Sequence, residues 1–198
     1  MASAYTTSLI KTFLQQHFDD IITAIADTGL YFAAVVAQLS VESANGTSDL
    51  AANYNNYGGI KGNASNGVRM DTVETNNRTP TQAYFKMYPN FKSFMDDYVA
   101  NLTTDARYLN GGVFQATSPE DQITKMVQAG YSTLTPKAYL ATGIQDRINA
   151  TRDLFPFGTI SSSDVAQNIV PQGNTSTLTF CQIFNITPNA CAVSNCGN

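Results

Sequence analysis

Tryptophan is absent from the 198 residues, histidine occurs once, and no cysteine precedes Cys181. Everything before that position must therefore hold its fold by packing, because a disulfide framework is excluded there. The three cysteines, Cys181, Cys191 and Cys196, allow one disulfide with a spare thiol, or none, and their spacing contains no Cys-x-x-C. With no His pair either, no zinc-type ligand set can be assembled, so neither a metal nor a cofactor is expected. His17 has no Ser, Cys or second His to serve, and it reads as a packing residue.

Charge is scarce as well, at 13% of residues, and the 11 Lys and Arg are scattered. Phosphate backbones and anionic membranes attract arrays of basic side chains, which makes nucleic acid a poor partner for this chain. No hydrophobic run reaches the length of a membrane span. Residues 1 to 25 do not read as a signal peptide, since Lys11, Gln15, Gln16, His17, Asp19 and Asp20 interrupt the apolar stretch. Export by another route, or a leader already removed, is the expectation.

What the chain does have is enough apolar residues, 43%, for one domain with a core. Its polar surface rests on Asn, Thr, Ser and Gln, giving a net charge of only -4. The 10 tyrosines each offer a flat apolar face with a polar tip, which suits hydroxyl-rich ligands such as sugars.

Apolar residues from Leu9 to Ile25 recur at helical spacing and predict an amphipathic helix over about 6–26, stopped by Gly29. A second helix, about 30–45, is apolar around most of its girth and should be central. Ser48 can cap a short helical turn after it. Residues 68–88 alternate as a β-hairpin with Glu74 at the tip, Ala83, Phe85 and Met87 on one face and Gln82, Tyr84, Lys86 and Tyr88 on the other. Asn90, Ser118-Pro119 and Thr135-Pro136 mark further helix starts, the last helix running to about 154. Beyond Pro156 the composition turns polar, so the expected division is a main domain at 1–155 and an extension or linker at 156–198 that docks on the domain or an assembly partner.

On the second helix Ala34, Gln38 and Glu42 stack at successive four-residue steps, ending in a carboxylate that faces a loop rich in Asn, Tyr and Gly. Breaking a glycosidic bond requires a proton for the leaving oxygen, and a carboxyl in a partly apolar cleft keeps that proton because burial disfavours the anion. Glu42 fits this role.

The block "AQLSVESANGTSDLAANYNNYGGIKG" resembles the bacterial peptidoglycan glucosaminidases of the flagellar and autolysin type, with their Glu-Ser, Gly-x-Ser, Leu-Ala, Asn-Asn and Gly-Ile-Lys elements in order. "YPNFKSFMDDYVANL" and "QAGYSTLTPKAYLATGIQDRI" continue the resemblance, which spans about residues 6–154. Departures are Ala44 where the family commonly has Gly, Asn45 for Trp, Thr47 for Lys, and Gly58 for an aromatic residue. The resemblance implies an α+β, lysozyme-like fold, a mainly helical lobe and a short β-hairpin bordering a cleft.

It also implies that Glu42 is the general acid, that Glu74 is a second carboxylate with Asp71 as its runner-up, and that Tyr131 is an active-site tyrosine. Gln38, Asn56, Tyr57 and Tyr139 would line the sugar groove. The substrate would be the glycan strand of peptidoglycan, cut at the β-1,4 bond after N-acetylglucosamine, by a protein acting at the cell wall or carried in a phage virion. Two other readings share the fold: a muramidase or lytic transglycosylase, and a non-catalytic wall-binding or structural component of a tail or surface assembly.

Overall fold

The computed structural model describes residues 2–72 and 81–166 in full and the backbone of 73, 80, 169–170 and 178–179. Helix α1 (Ala4–Ile25) starts where Ser3 accepts a hydrogen bond from the Thr6 amide, and it buries Ile10, Phe13, Leu14, Phe18, Ile21 and Ile25 along one stripe. Helix α2 (Phe32–Glu42) is buried on every side from Phe32 to Ser40, which is why its sequence carries no polar face over that length. It forms the axis of the helical lobe, against α1, α6 (Pro119–Gln128) and α8 (Gln145–Leu154).

The short helix α3 (Asp49–Tyr54) is capped by Ser48 as its sequence indicates. Strands β1 (Gly67–Val73) and β2 (Pro80–Lys86) pair antiparallel, with Val68 opposite Phe85 and Met70 opposite Ala83. The loop before them joins the edge of β2, where Gly62 donates to the Tyr84 carbonyl at 2.8 Å and Lys86 to that of Ile60 at 2.9 Å. The expected alternation stops at Lys86: Met87 is exposed, while Lys86 and Tyr88 both donate to Asp97 on helix α4 (Phe91–Thr104). A strand that ends cannot carry its two-residue period further, and Asp97 is what draws the next residues out of register. The hairpin tip, including Glu74, lies outside the described residues, as do the three cysteines.

Two elements join α4 to α6, helix α5 (Ala106–Asn110) and a 3-10 turn at Val113–Gln115. The expected single helix after Thr135 is instead divided into α7 (Pro136–Tyr139), a wide turn at Leu140–Ile144, and α8. Gly143, at φ 107, makes that break, in a backbone conformation that side-chain-bearing residues rarely adopt. Nor does the core end at 155. Phe155, Phe157 and Ile160 are buried, Gly158 accepts from the Phe32 amide at 3.1 Å, and Ile160 from that of Asp27 at 2.8 Å. The segment after 155 thus docks on the main body, as the sequence allows, and leads into helix α9 (Ser162–Ala166). Ile169–Val170 and Leu178–Thr179 form a short antiparallel pair.

Candidate active site

Glu42 is the last residue of α2, and the turn that follows leaves its side chain at the rim of a cleft. Buried Ser43 ties that turn: its hydroxyl donates to the Leu39 carbonyl at 2.6 Å and accepts from the Gly46 amide at 2.8 Å. Ala44, Asn45 and Gly46 all take positive φ values, 50, 59 and 85. Two consecutive non-glycine residues in the left-handed region are costly, and such strain collects at functional sites.

The cleft has a volume of about 620 Å³. Lys61, Thr72 and Phe85 form the wall from the loop and hairpin, Leu102 and Tyr108 the wall from α4 and α5, and Tyr131 the end beside Glu42. Lys61 Nζ lies 4.4 Å from the centre of the Phe85 ring. No group of His, Cys, Asp and Glu able to hold a metal occurs among the described residues.

Tyr131 reaches the cleft because of how α6 ends. Gly130, at φ 93, donates to the Val127 carbonyl, and the Tyr131 amide reaches back to that of Met126 at 3.0 Å, the paired bonds of a glycine-terminated helix. The Tyr131 ring is half-buried, 6.2 Å from that of Tyr139. Tyr139 comes from α7, which Thr135 caps through the Ala138 amide, and its hydroxyl donates to Glu42 Oε1 at 2.6 Å. Burial holds the Tyr139 hydroxyl well above its ordinary pKa, and the neighbouring Glu42 adds to the rise through its charge and hydrogen bond. Tyr131 is raised for the same reason, burial first and then Tyr139, Tyr98 and Glu42 around it. Both phenols are thus kept as proton-bearing donors.

Several sequence expectations are corrected by this geometry. Glu42 was expected in a partly apolar seat; its side chain is open to the cleft, with tyrosines only on one flank. Gln38 does not line the groove: it is fully buried, one helical turn beneath Glu42, and accepts from the Tyr98 hydroxyl at 2.5 Å. Asn56, also buried, pins the loop to the hairpin, donating to the carbonyls of Ile60 and Lys86 at 2.9 Å each and accepting from the Ile60 amide at 3.0 Å. Tyr57 packs edge-on against Phe91 at 4.7 Å and beside His17 at 5.0 Å, inside the core. Tyr139 acts on Glu42 from behind and is itself buried. Asp71 faces away from the cleft, into a shallow groove with Asp49 and Tyr54, and accepts from Gln82 at 2.9 Å, whereas the adjacent Thr72 faces inward.

Sequence reasoning missed Tyr98, Tyr108 and Arg107. Tyr98 follows Phe94 and precedes Leu102 at four-residue steps, so it read as one more core position; its buried hydroxyl was the only signal that it had a polar partner.

A helical lobe and a short hairpin enclosing a cleft, with Glu42 at its rim and Asp105 further along it, make a lysozyme-like fold of the kind glycoside hydrolases use. The chain belongs to the glucosaminidase family, described as mannosyl-glycoprotein endo-beta-N-acetylglucosaminidase, which residues 19–152 match. The structure is similar to the glycoside hydrolase domain of FlgJ from Salmonella typhimurium in a C-terminally truncated form, at 25% identity and TM-score 0.57, covering 73% of this chain and 98% of that one. It is also similar to the catalytic domain of the autolysin Auto from Listeria monocytogenes, at 24% identity and TM-score 0.58, covering 77% and 87%. A peptidoglycan hydrolase mutant from Sphingomonas sp. A1 shares the fold at 21% identity and TM-score 0.58, covering 70% and 92%. No curated protein matches the chain by sequence.

Proposed function

We propose that this protein hydrolyses the glycan strand of peptidoglycan at the β-1,4 bond after N-acetylglucosamine, acting at the cell wall from outside the cell or from a phage virion. The observation that carries the reading is Glu42 at the cleft rim, one carboxylate oxygen held by Tyr139 at 2.6 Å, in a cleft that Tyr131 also lines. The family membership supports the reaction class, and the peptidoglycan hydrolase among the structural relatives supports the polymer.

In this mechanism Glu42 protonates the leaving glycosidic oxygen. Sugar bound in the cleft displaces water from the carboxyl and supplies the apolar enclosure that the free site lacks. The Tyr131 hydroxyl holds the N-acetyl group or offsets the positive charge that develops at the anomeric carbon. Glu74 serves as the second carboxylate, or the N-acetyl oxygen of the substrate takes its place as nucleophile. Asp71, turned to the opposite side of the hairpin, is not a candidate for that role.

The bond assignment is tested by product ends. Digested wall is reduced with borohydride and the reduced amino sugar identified by mass spectrometry. Glucosaminitol is the expected product; muramitol without glucosaminitol would assign the cut to the other linkage. Glu74→Gln separates the two second-step routes, since a loss under about tenfold supports substrate assistance, while roughly 10²-fold or more supports a protein nucleophile or base.

A further inference from the structure

Among the described residues, the charged side chains lining the cleft are Glu42, Asp105, Arg107 and Lys61. Three of them are engaged within the protein. Glu42 accepts from the Tyr139 hydroxyl at 2.6 Å, and Arg107 is paired with Asp105, to which its Nε and Nη2 donate at 3.0 and 2.7 Å. Lys61 forms no ion pair with any described residue. Its position is nevertheless built. Lys61 and Phe85 are partners in an antiparallel bridge at the edge of β2, fastened on either side by the bonds from the Gly62 amide to Tyr84 and from the Lys86 amide to Ile60. Bridge partners project from the same face of a sheet. The ammonium accordingly rests over the Phe85 ring, Nζ 4.4 Å from its centre, on the wall that faces the cleft. A cation seated on an aromatic face keeps its charge and its outward N–H donors.

We propose that Lys61 is a specificity residue whose ammonium binds the carboxylate carried on the lactyl arm of N-acetylmuramic acid. This rests on the peptidoglycan reading of the preceding section and names the part of that polymer the cleft selects. In the cut given there, the leaving oxygen belongs to N-acetylmuramic acid, whose lactyl ether sits on the adjacent ring carbon. The acid arm therefore enters the cleft beside the bond to be broken. A chain with a net charge of -4 repels an acidic polymer at long range, and an unbalanced cation in the cleft supplies the local attraction. The carboxylate has two sources: the lactyl group itself in strands stripped of peptide, or the stem peptide attached to it in intact strands. A strand made only of N-acetylglucosamine has neither.

The test is calorimetric binding of soluble tetrasaccharides to Glu42→Gln protein, with and without Lys61→Met. The probes are chitotetraose, an alternating glucosaminyl-muramyl tetrasaccharide with free lactyl carboxylates, and the same tetrasaccharide bearing stem peptides. At least one acidic probe should bind more tightly than chitotetraose and lose about fivefold in affinity with Lys61→Met, the scale of an exposed ion pair. The probe that loses affinity identifies the source of the carboxylate. Chitotetraose should bind both proteins alike, added salt should erase the acidic preference, and Lys61→Arg should keep it. Lys61 is exposed, so either substitution leaves the packing intact. The proposal is overturned if no acidic probe is preferred, if Lys61→Met leaves the preference unchanged, or if it weakens all three probes by the same factor. Chitotetraose bound without any acidic preference removes the role of Lys61 alone, whereas failure of all three probes to bind removes the peptidoglycan reading along with it.

Discussion

His17 sits face to face with Phe91, ring centres 3.9 Å apart, with Phe13 at 4.9 Å, and its buried Nε2 has no partner among the described residues. Burial pushes its pKa from 6.5 down to about 4. The folded state therefore resists a proton that the unfolded chain accepts, so this residue leaves stability untouched above pH 6.5 and lowers it as pH falls from 6.5 towards 4. The loss accumulates to about 3 kcal/mol. Chemical denaturation at a series of pH values should show His17→Phe with a distinctly shallower acid slope; an unchanged slope would mean that the histidine titrates alike in both states. The packing role of His17 could be read from its place on an apolar helix face. The interior roles of Gln38, Asn56 and Tyr57 could not, because a sequence names a polar group without naming its partner. Asn56 meets the Lys86 carbonyl, 30 residues away, and such a contact leaves no local pattern. Asn56→Ala removes three hydrogen bonds and strands buried backbone groups, for an expected loss of about 3 kcal/mol in urea unfolding and lower activity through a loosened cleft wall.

Helix starts were legible because their signals are local: Asn90, Ser118 and Thr135 each cap the helix they precede. The break at Gly143 was not, since an isolated glycine in a helical stretch is compatible with an uninterrupted helix and only the packing of α7 and α8 decides otherwise. Two backbone positions near the site give opposite predictions. Ala44 holds φ 50 in the turn after Glu42, where the resembled family commonly has glycine. Ala44→Gly should stabilise the fold by about 1 kcal/mol, seen as a raised Tm, because a side chain in the left-handed region is strained. Gly130 holds φ 93 at the end of α6, and Gly130→Ala should destabilise by about 1 kcal/mol and lower kcat, since the bond from the Tyr131 amide to Met126 depends on that conformation.

At the scale of the whole molecule, periodicity and the ordered motif blocks carried the fold class and the central position of α2. Composition turns polar at 156, yet the apolar residues Phe155, Phe157 and Ile160 pack into the core, a docking of the segment that composition alone could not locate. The Phe157 ring lies 5.7 Å from those of Phe32 and Phe155. A chain ending at 155 should be less stable than one ending at 166 by about 3 to 6 kcal/mol, from the exposure left by the missing Phe157 and Ile160. Equal unfolding midpoints would show that the segment rests on the body without supporting it. The helical lobe and hairpin hold Glu42 at the rim of the cleft, and the chemistry proposed for the protein depends on its proton. Hydrolysis of purified peptidoglycan by Glu42→Gln measures this most directly: the rate should fall by ~10²- to 10⁴-fold while Tm and binding to wall stay as in the parent, and a rate equal to the parent's would contradict the account.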